Sequence, residues 1–141
     1  MARQPELVFE RYVFDASGLI QLGRLRALRH LRPPGPGIVV PHQVALEVRK
    51  GRRCPAKTWL ERYPETVTRF ATPAESSLYL ALLQQRDPTI HEGEAAAISI
   101  AAERGGTVVI RDRAAEAKAR EHGVECLTAD EFLAKWPHKR R

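Results

Sequence analysis

Thr89-Ile-His-Glu-Gly-Glu-Ala-Ala-Ala-Ile98 runs on through Ser99-Ile-Ala-Ala-Glu-Arg104 into Thr107-Val-Val-Ile-Arg-Asp112. Glu94, Ala97, Ile98 and Ala101 recur at spacings of three, four and seven, which predicts a helix with these residues on one face. Gly105-Gly106 closes it, and Thr107 to Ile110 is an apolar, β-prone run with Asp112 just past its end. Acidic residues thus stand at the mouth of the helix and beyond the strand that follows. A neighbouring strand ending on another carboxylate would gather charges from distant parts of the chain at one point.

Working outward, Tyr12-Val-Phe14 is a short β-prone run broken by Asp15-Ala-Ser-Gly18. Leu19, Leu22, Leu25, Leu28 and Leu31 are then expected along one face of a helix, with arginines on the other. Pro33-Pro-Gly-Pro-Gly37 stops that helix in a loop. Ile38-Val-Val40 suits a buried parallel strand, and Pro41 starts a helix from His42 to Lys50 with Val44 and Val48 facing inward. Glu47 falls on the flank of that inner face. Gly51 ends the helix, Pro55 to Tyr63 is a short helix resting on Trp59 and Leu60, and Val67 to Phe70 is a short strand. Pro73-Ala-Glu-Ser76 starts a helix that carries Leu78, Leu82 and Leu83, and Arg86-Asp-Pro88 interrupts it.

After Asp112, a helix runs from Arg113 to His122 with Gly123 as its stop, then a strand from Val124 to Leu127 and a helix from Ala129 to Lys135. No internal repeat is present. Alternating strands and helices predict a three-layer α/β/α domain, one unit over residues 1–141, with a central parallel sheet of about four to five strands. The basic end, from about residue 137 to Arg141, is expected to be a disordered tail.

The 141 residues are enough for one ordinary core, and 43% hydrophobic with 28% charged content fits a soluble globular protein. No signal-peptide run is seen, and nothing approaches the roughly 20 apolar residues that span a bilayer. The expectation is a cytoplasmic protein with no membrane partner. Cys54 and Cys126 are too few and too far apart for a disulfide framework or a zinc site. The net charge of +6 favours a polyanion. Arg24, Arg26, Arg29 and Arg32 punctuate one segment and Arg49-Lys-Gly-Arg-Arg53 forms a run, so nucleic acid is a natural partner, with a solvated basic surface as the plain alternative. Aromatic residues make up only 6%, which favours backbone contact over base stacking.

Ligands gather outside the carboxyl ends of parallel strands, where Asp15 and Asp112 fall. Glu47 and Glu94, read in the first turns of their helices on inward or flanking positions, can lean over the same edge. Four carboxylates repel unless a cation neutralises them, and oxygen donors of this kind suit Mg²⁺ or Mn²⁺. Such an ion can polarise a phosphodiester and activate water. Each acid also has a structural reading. Asp15 and Asp112 can cap helices, Ser17 can be an N-cap, Glu47 can be solvated, and Glu92 and Glu94 can serve the helix dipole alone. Gly93 permits close backbone approach, which favours Glu94 over Glu92, and the loop residue His91 is left out of the acidic set.

Val13-Phe-Asp-Ala-Ser-Gly-Leu-Ile20, Val40-Pro-His-Gln-Val-Ala-Leu-Glu-Val48, Glu92-Gly-Glu-Ala-Ala-Ala-Ile98 and Val108-Val-Ile-Arg-Asp-Arg-Ala115 together resemble the successive motifs of PIN-domain nucleases, particularly the small VapC-like toxins. The resemblance runs from about Tyr12 to about Leu133. It implies a PIN-like fold, a Mg²⁺ or Mn²⁺ requirement and endonucleolytic RNA cleavage. By the same likeness Asp15, Glu47, Glu94 and Asp112 are the catalytic acids, with Asp15, Glu94 and Asp112 on the metal. The same likeness makes Ser17 a supporting hydroxyl; from the sequence itself, Arg49, Lys50, Arg52 and Arg53 follow Glu47 closely, so their side chains can hold phosphates beside the cluster. A toxin would have an antitoxin protein, and a homodimer is implied. Many relatives carry a second aspartate where this chain has Arg111, and Glu116, one turn beyond Asp112, is expected to compensate in part. Arg111 also motivates the alternative of a catalytically silent RNA-binding or protein-interaction module. A receiver-type phosphotransfer domain would need a lysine at a strand end, and none is so placed.

Overall fold

A computed structural model describes residues 11–32, 37–85 and 90–135. Strands β1 (Tyr12–Phe14), β2 (Ile38–Pro41), β3 (Val67–Thr68), β4 (Thr107–Val109) and β5 (Glu125–Leu127) form one sheet in the order β3-β2-β1-β4-β5. Every pairing is parallel. The helices are α1 (Ala16–Arg24), α2 (His42–Lys50), α3 (Pro55–Arg62), α4 (Pro73–Leu83), α5 (Glu92–Arg104), α6 (Arg113–Glu121) and α7 (Ala129–Lys135). Short 3₁₀ turns occupy Leu28–His30 and Pro64–Thr66. The expected three-layer α/β architecture is present, with five strands. No helix among the described residues is long and apolar enough to cross a membrane.

A strand covered on both faces must be apolar throughout, and Tyr12, Val13 and Phe14 are all buried. Tyr12 and Phe14 join a core with Leu19 and Leu22 of α1, Trp59 and Leu60 of α3, and Phe132 of α7. Val13 points the other way, into a core with Ile98 of α5 and Ala115 of α6. Phe132 stands edge-on to both Tyr12 and Phe14, with centroids 5.0 and 5.1 Å away.

Because β1 is central, the chain moves outward through β2 and β3 and later crosses to β4 and β5 on the other side. The boundary between β1 and β4 is therefore the point where strand order reverses, the usual ligand crevice of an open parallel sheet. Phe14 is in register with Val109. Asp15 donates its amide to the Val109 carbonyl at 3.3 Å, so both strands release their chains at the same level.

The leucine series does not make one helix. α1 ends at Arg24, Arg26 adopts a positive φ of 60°, and the chain re-enters a 3₁₀ turn at Leu28. A uniform spacing of three lags the 3.6-residue repeat by about 60° per step, so five such positions cannot share an α-helical face. Leu19, Leu22, Leu28 and Leu31 are buried, but Leu25 at the break is 40% exposed. Two smaller differences follow. β3 stops at Thr68 instead of running to Phe70, and Pro41 is the last residue of β2 and the N-cap of α2. Residues 33–36 and 86–89, where loops were expected, and the basic end lie outside the described residues.

Candidate active site

Asp15 is the first residue after β1 and the N-cap of α1. Its Oδ1 accepts hydrogen bonds from the Gly18 amide at 2.9 Å and the Ser17 hydroxyl at 2.8 Å. Ser17 Oγ in turn accepts from the Arg111 amide at 3.1 Å, tying the end of β1 to the chain leaving β4. A Cβ at Gly18 would collide with the Val109 carbonyl, so glycine is what lets α1 begin this close to β4.

Asp15 is only 2% exposed. Burial pushes its pKa up to about 7, against the two hydrogen bonds, and the negative charges of Glu94 and Glu47 push the same way. Glu94 is the third residue of α5, and its Oε1 closes a capping box by accepting from the His91 amide at 3.0 Å. Partial burial holds its carboxyl above the ordinary range, with the charges of Asp112 and Glu47 adding to the effect.

Glu47 lies in the second turn of α2, not the first, because the helix begins at His42. It still meets the mouth of α5, since a Cβ at Gly93 would stand 2.9 Å from Glu47 Oε1 and 3.3 Å from Val44 Cγ2. The missing side chain at 93 gives the carboxylate its room. A cavity of about 790 Å³ opens beside Glu47, walled by Gln43, Leu46, Lys50, His91 and Glu92 among others. Asp112 is exposed and caps α6, its Oδ1 accepting from the Ala115 amide at 2.9 Å.

The fold therefore couples Asp15, Glu47 and Glu94 electrostatically, and Asp112 through Glu94. It does not bring Glu116 to them: Glu116 faces solvent and pairs with Arg120 at 2.8 Å, so the expected compensation for Arg111 is not made. Arg111 turns its guanidinium toward Gln21 Oε1 at 3.5 Å. The basic run is exposed but divided, with Lys50 on the cavity beside Glu47 and Arg53 on a different one. The spacing had given no sign of Gln21 and Gln43 as neighbours of these groups, because each meets its partner only through the fold.

Among the described residues, no three His, Cys, Asp or Glu side chains stand close enough to hold an ion as they lie. Glu94 and Asp112 each direct one oxygen to a helix amide instead. The chemistry of the four acids nonetheless fits a hard divalent cation: carboxylate oxygens, with one buried carboxyl whose ionisation is opposed by burial and by two like charges.

A family model described as a PIN domain, DUF3368, matches residues 11–128. The chain belongs to the PIN-domain family. PIN domains are generally nucleases that use divalent metal ions, and membership implies RNA as the substrate at that coarse level. The crystal structure of PAE2754 from Pyrobaculum aerophilum covers 94% of this PIN-domain chain and 98% of its own at a TM-score of 0.60. At 18% identity, that likeness speaks to the fold alone. Among curated proteins none matches.

Proposed function

We propose that this PIN domain is a Mg²⁺- or Mn²⁺-dependent endoribonuclease. The observation that carries the reading is Asp15, buried at the strand-order reversal and raised to about 7 by burial, with Glu94 and Glu47 adding to the rise. A carboxylate in that position is favoured in its charged form by a nearby cation, and carboxylate oxygens suit a divalent one. Asp15, Glu94 and Asp112 would hold the ion, which supplies the Lewis acid that polarises a phosphodiester and lowers the pKa of water.

The chain's own groups do the rest. Ser17 donates to Asp15 Oδ1 and fixes that carboxylate's orientation. Glu47 Oε1, in the gap left by Gly93, is the base that takes a proton from the attacking water. Lys50, with Arg49 and Arg52 on the same exposed run, holds flanking phosphates. The reading extends to the toxin of a toxin–antitoxin pair acting as a homodimer, with an antitoxin protein covering the acids.

One specific observation favours a second reading, a silent RNA-binding or protein-interaction module. Glu94 and Asp112 already cap their helices, and Arg111 stands where relatives add an acid. Cleavage separates the two. Purified protein should cut single-stranded RNA with Mn²⁺, stop in EDTA, and lose at least about a hundredfold in rate in Asp15→Asn and Asp112→Asn. Equal cleavage by either variant removes the acidic set from catalysis, and RNA binding with no cleavage under any divalent ion leaves the silent module standing.

A further inference from the structure

With none of the four acids in its lining, a second cavity of about 650 Å³ lies between the 3₁₀ turn at Leu28–His30 and α3. That volume falls within the roughly 300–1,000 Å³ of small-molecule sites. Arg29, Arg32, Arg53 and Arg62 line it, together with Leu28, Trp59 and Tyr63. All four arginines are exposed, and among the described residues none of them takes part in an ion pair. Four guanidiniums around one concavity repel one another, and an anion relieves that repulsion.

The rest of the wall is ordered and aromatic. Trp59 donates its indole N–H to the Leu31 carbonyl at 3.0 Å, which pins α3 to the turn. Trp59 and Tyr63 lie with centroids 5.3 Å apart, and the Arg62 guanidinium sits 5.7 Å over the Tyr63 ring. Tyr63 is half-buried and lines the cavity. Arginine forks beside a fixed ring are the means by which proteins hold a phosphate and stack its base.

We propose that this cavity is a nucleotide-binding site distinct from the acidic one, with the arginines on a phosphate and Tyr63 and Arg62 against the attached base. It deepens the ribonuclease reading and rests on it for the source of the nucleotide, a unit of the RNA chain held away from the cut. A free nucleotide shares the same chemistry.

Cys54 lies in the cavity wall and is half-exposed, whereas Cys126 is buried and burial pushes its thiol up to about 11. Alkylation of the full chain therefore reports on Cys54. In EDTA, a 2′-O-methyl oligoribonucleotide at about ten times its Kd should slow Cys54 alkylation about tenfold. Arg29→Gln or Arg53→Gln, both at exposed positions, should cut that protection to about twofold at the same concentration. Protection by AMP at the oligonucleotide's own concentration would identify a free nucleotide as the ligand, and a need for far more AMP identifies the RNA chain. Asp15→Asn should retain full protection, so failure of cleavage and failure of this site are told apart. Alkylation unchanged by the oligonucleotide, or equal protection by inorganic phosphate or poly-glutamate, overturns the proposal.

Discussion

Asp15→Asn is expected to be more stable than the wild-type chain above pH 7 while having lost RNA cleavage. The asparagine keeps an Oδ1 to accept from Gly18 and Ser17, so the cap of α1 survives. What disappears is a charge that the fold resists. Well below 3.8 the folded and unfolded wild-type chains both hold the Asp15 proton, and nothing is lost. Between the ordinary value of 3.8 and about 7 the unfolded chain releases that proton while the folded chain keeps it, so stability falls as pH rises. Above about 7 the penalty is constant, and at about 1.4 kcal/mol per pH unit it reaches about 4 kcal/mol. The difference between variant and wild type, from urea midpoints, should grow from pH 4 to 7 and then level. Mg²⁺ at about a thousandfold excess over Kd, at pH 8, should close it by stabilising the wild type alone by about 4 kcal/mol. A variant equal to or less stable than wild type at pH 8 would contradict this.

Arg104→Met should destabilise the protein by about 3–5 kcal/mol, without bearing on the acids. Glu75 is 1% exposed, and Arg104 holds it by a fork, Nε to Oε2 at 2.7 Å and Nη2 to Oε1 at 3.1 Å. The same guanidinium reaches Thr68 Oγ1 at 3.2 Å and the Arg69 carbonyl at 2.8 Å, so one side chain joins α5 to α4 and to the end of β3. Hydrogen bonding from Arg104 holds the Glu75 carboxyl below its ordinary range, against the opposing effect of burial. In the wild type that contribution is present at neutral pH and is lost as pH falls through the lowered pKa. Without Arg104 the buried carboxylate loses its counter-charge and keeps the Ala71 amide, which donates to Oε1 at 2.7 Å, so it gains a proton more readily on acidification. The gap between variant and wild type should therefore be largest near pH 7 and shrink toward pH 4. Arg104→Lys should recover only part, because an ammonium cannot supply the fork. A chemical denaturation series resolves all three.

The strand-ending acids were legible because a parallel strand announces itself by an unbroken apolar run, and a carboxylate just past it has few places to go. Asp15 and Asp112 stood out on that ground, and Gly93 marked a close approach in favour of Glu94, although the group it makes room for is Glu47. Strand order was not legible, since nothing local to Tyr12–Phe14 says that it is central. The leucine series misled because a repeat of three looks helical until its drift is followed over five positions. Glu116 was open to a better reading: Arg120 lies four residues on, the spacing at which a helix pairs opposite charges. Glu75 with Arg104 is a pair 29 residues apart, and the cavity joins Arg29 and Arg32 to Arg53 and Arg62 across a loop. Both depend on how helices dock, which no periodicity records.

The central claim is that Asp15 belongs to a charge-frustrated acidic site made for a divalent cation. Its carboxyl titration, followed by ¹³C NMR and assigned by the signal missing in Asp15→Asn, tests that directly. In EDTA the midpoint should lie near 7, and saturating Mg²⁺ should bring it down to the ordinary 3.8 or below. A midpoint near 4 in EDTA, or one that stays near 7 in Mg²⁺, would contradict the account.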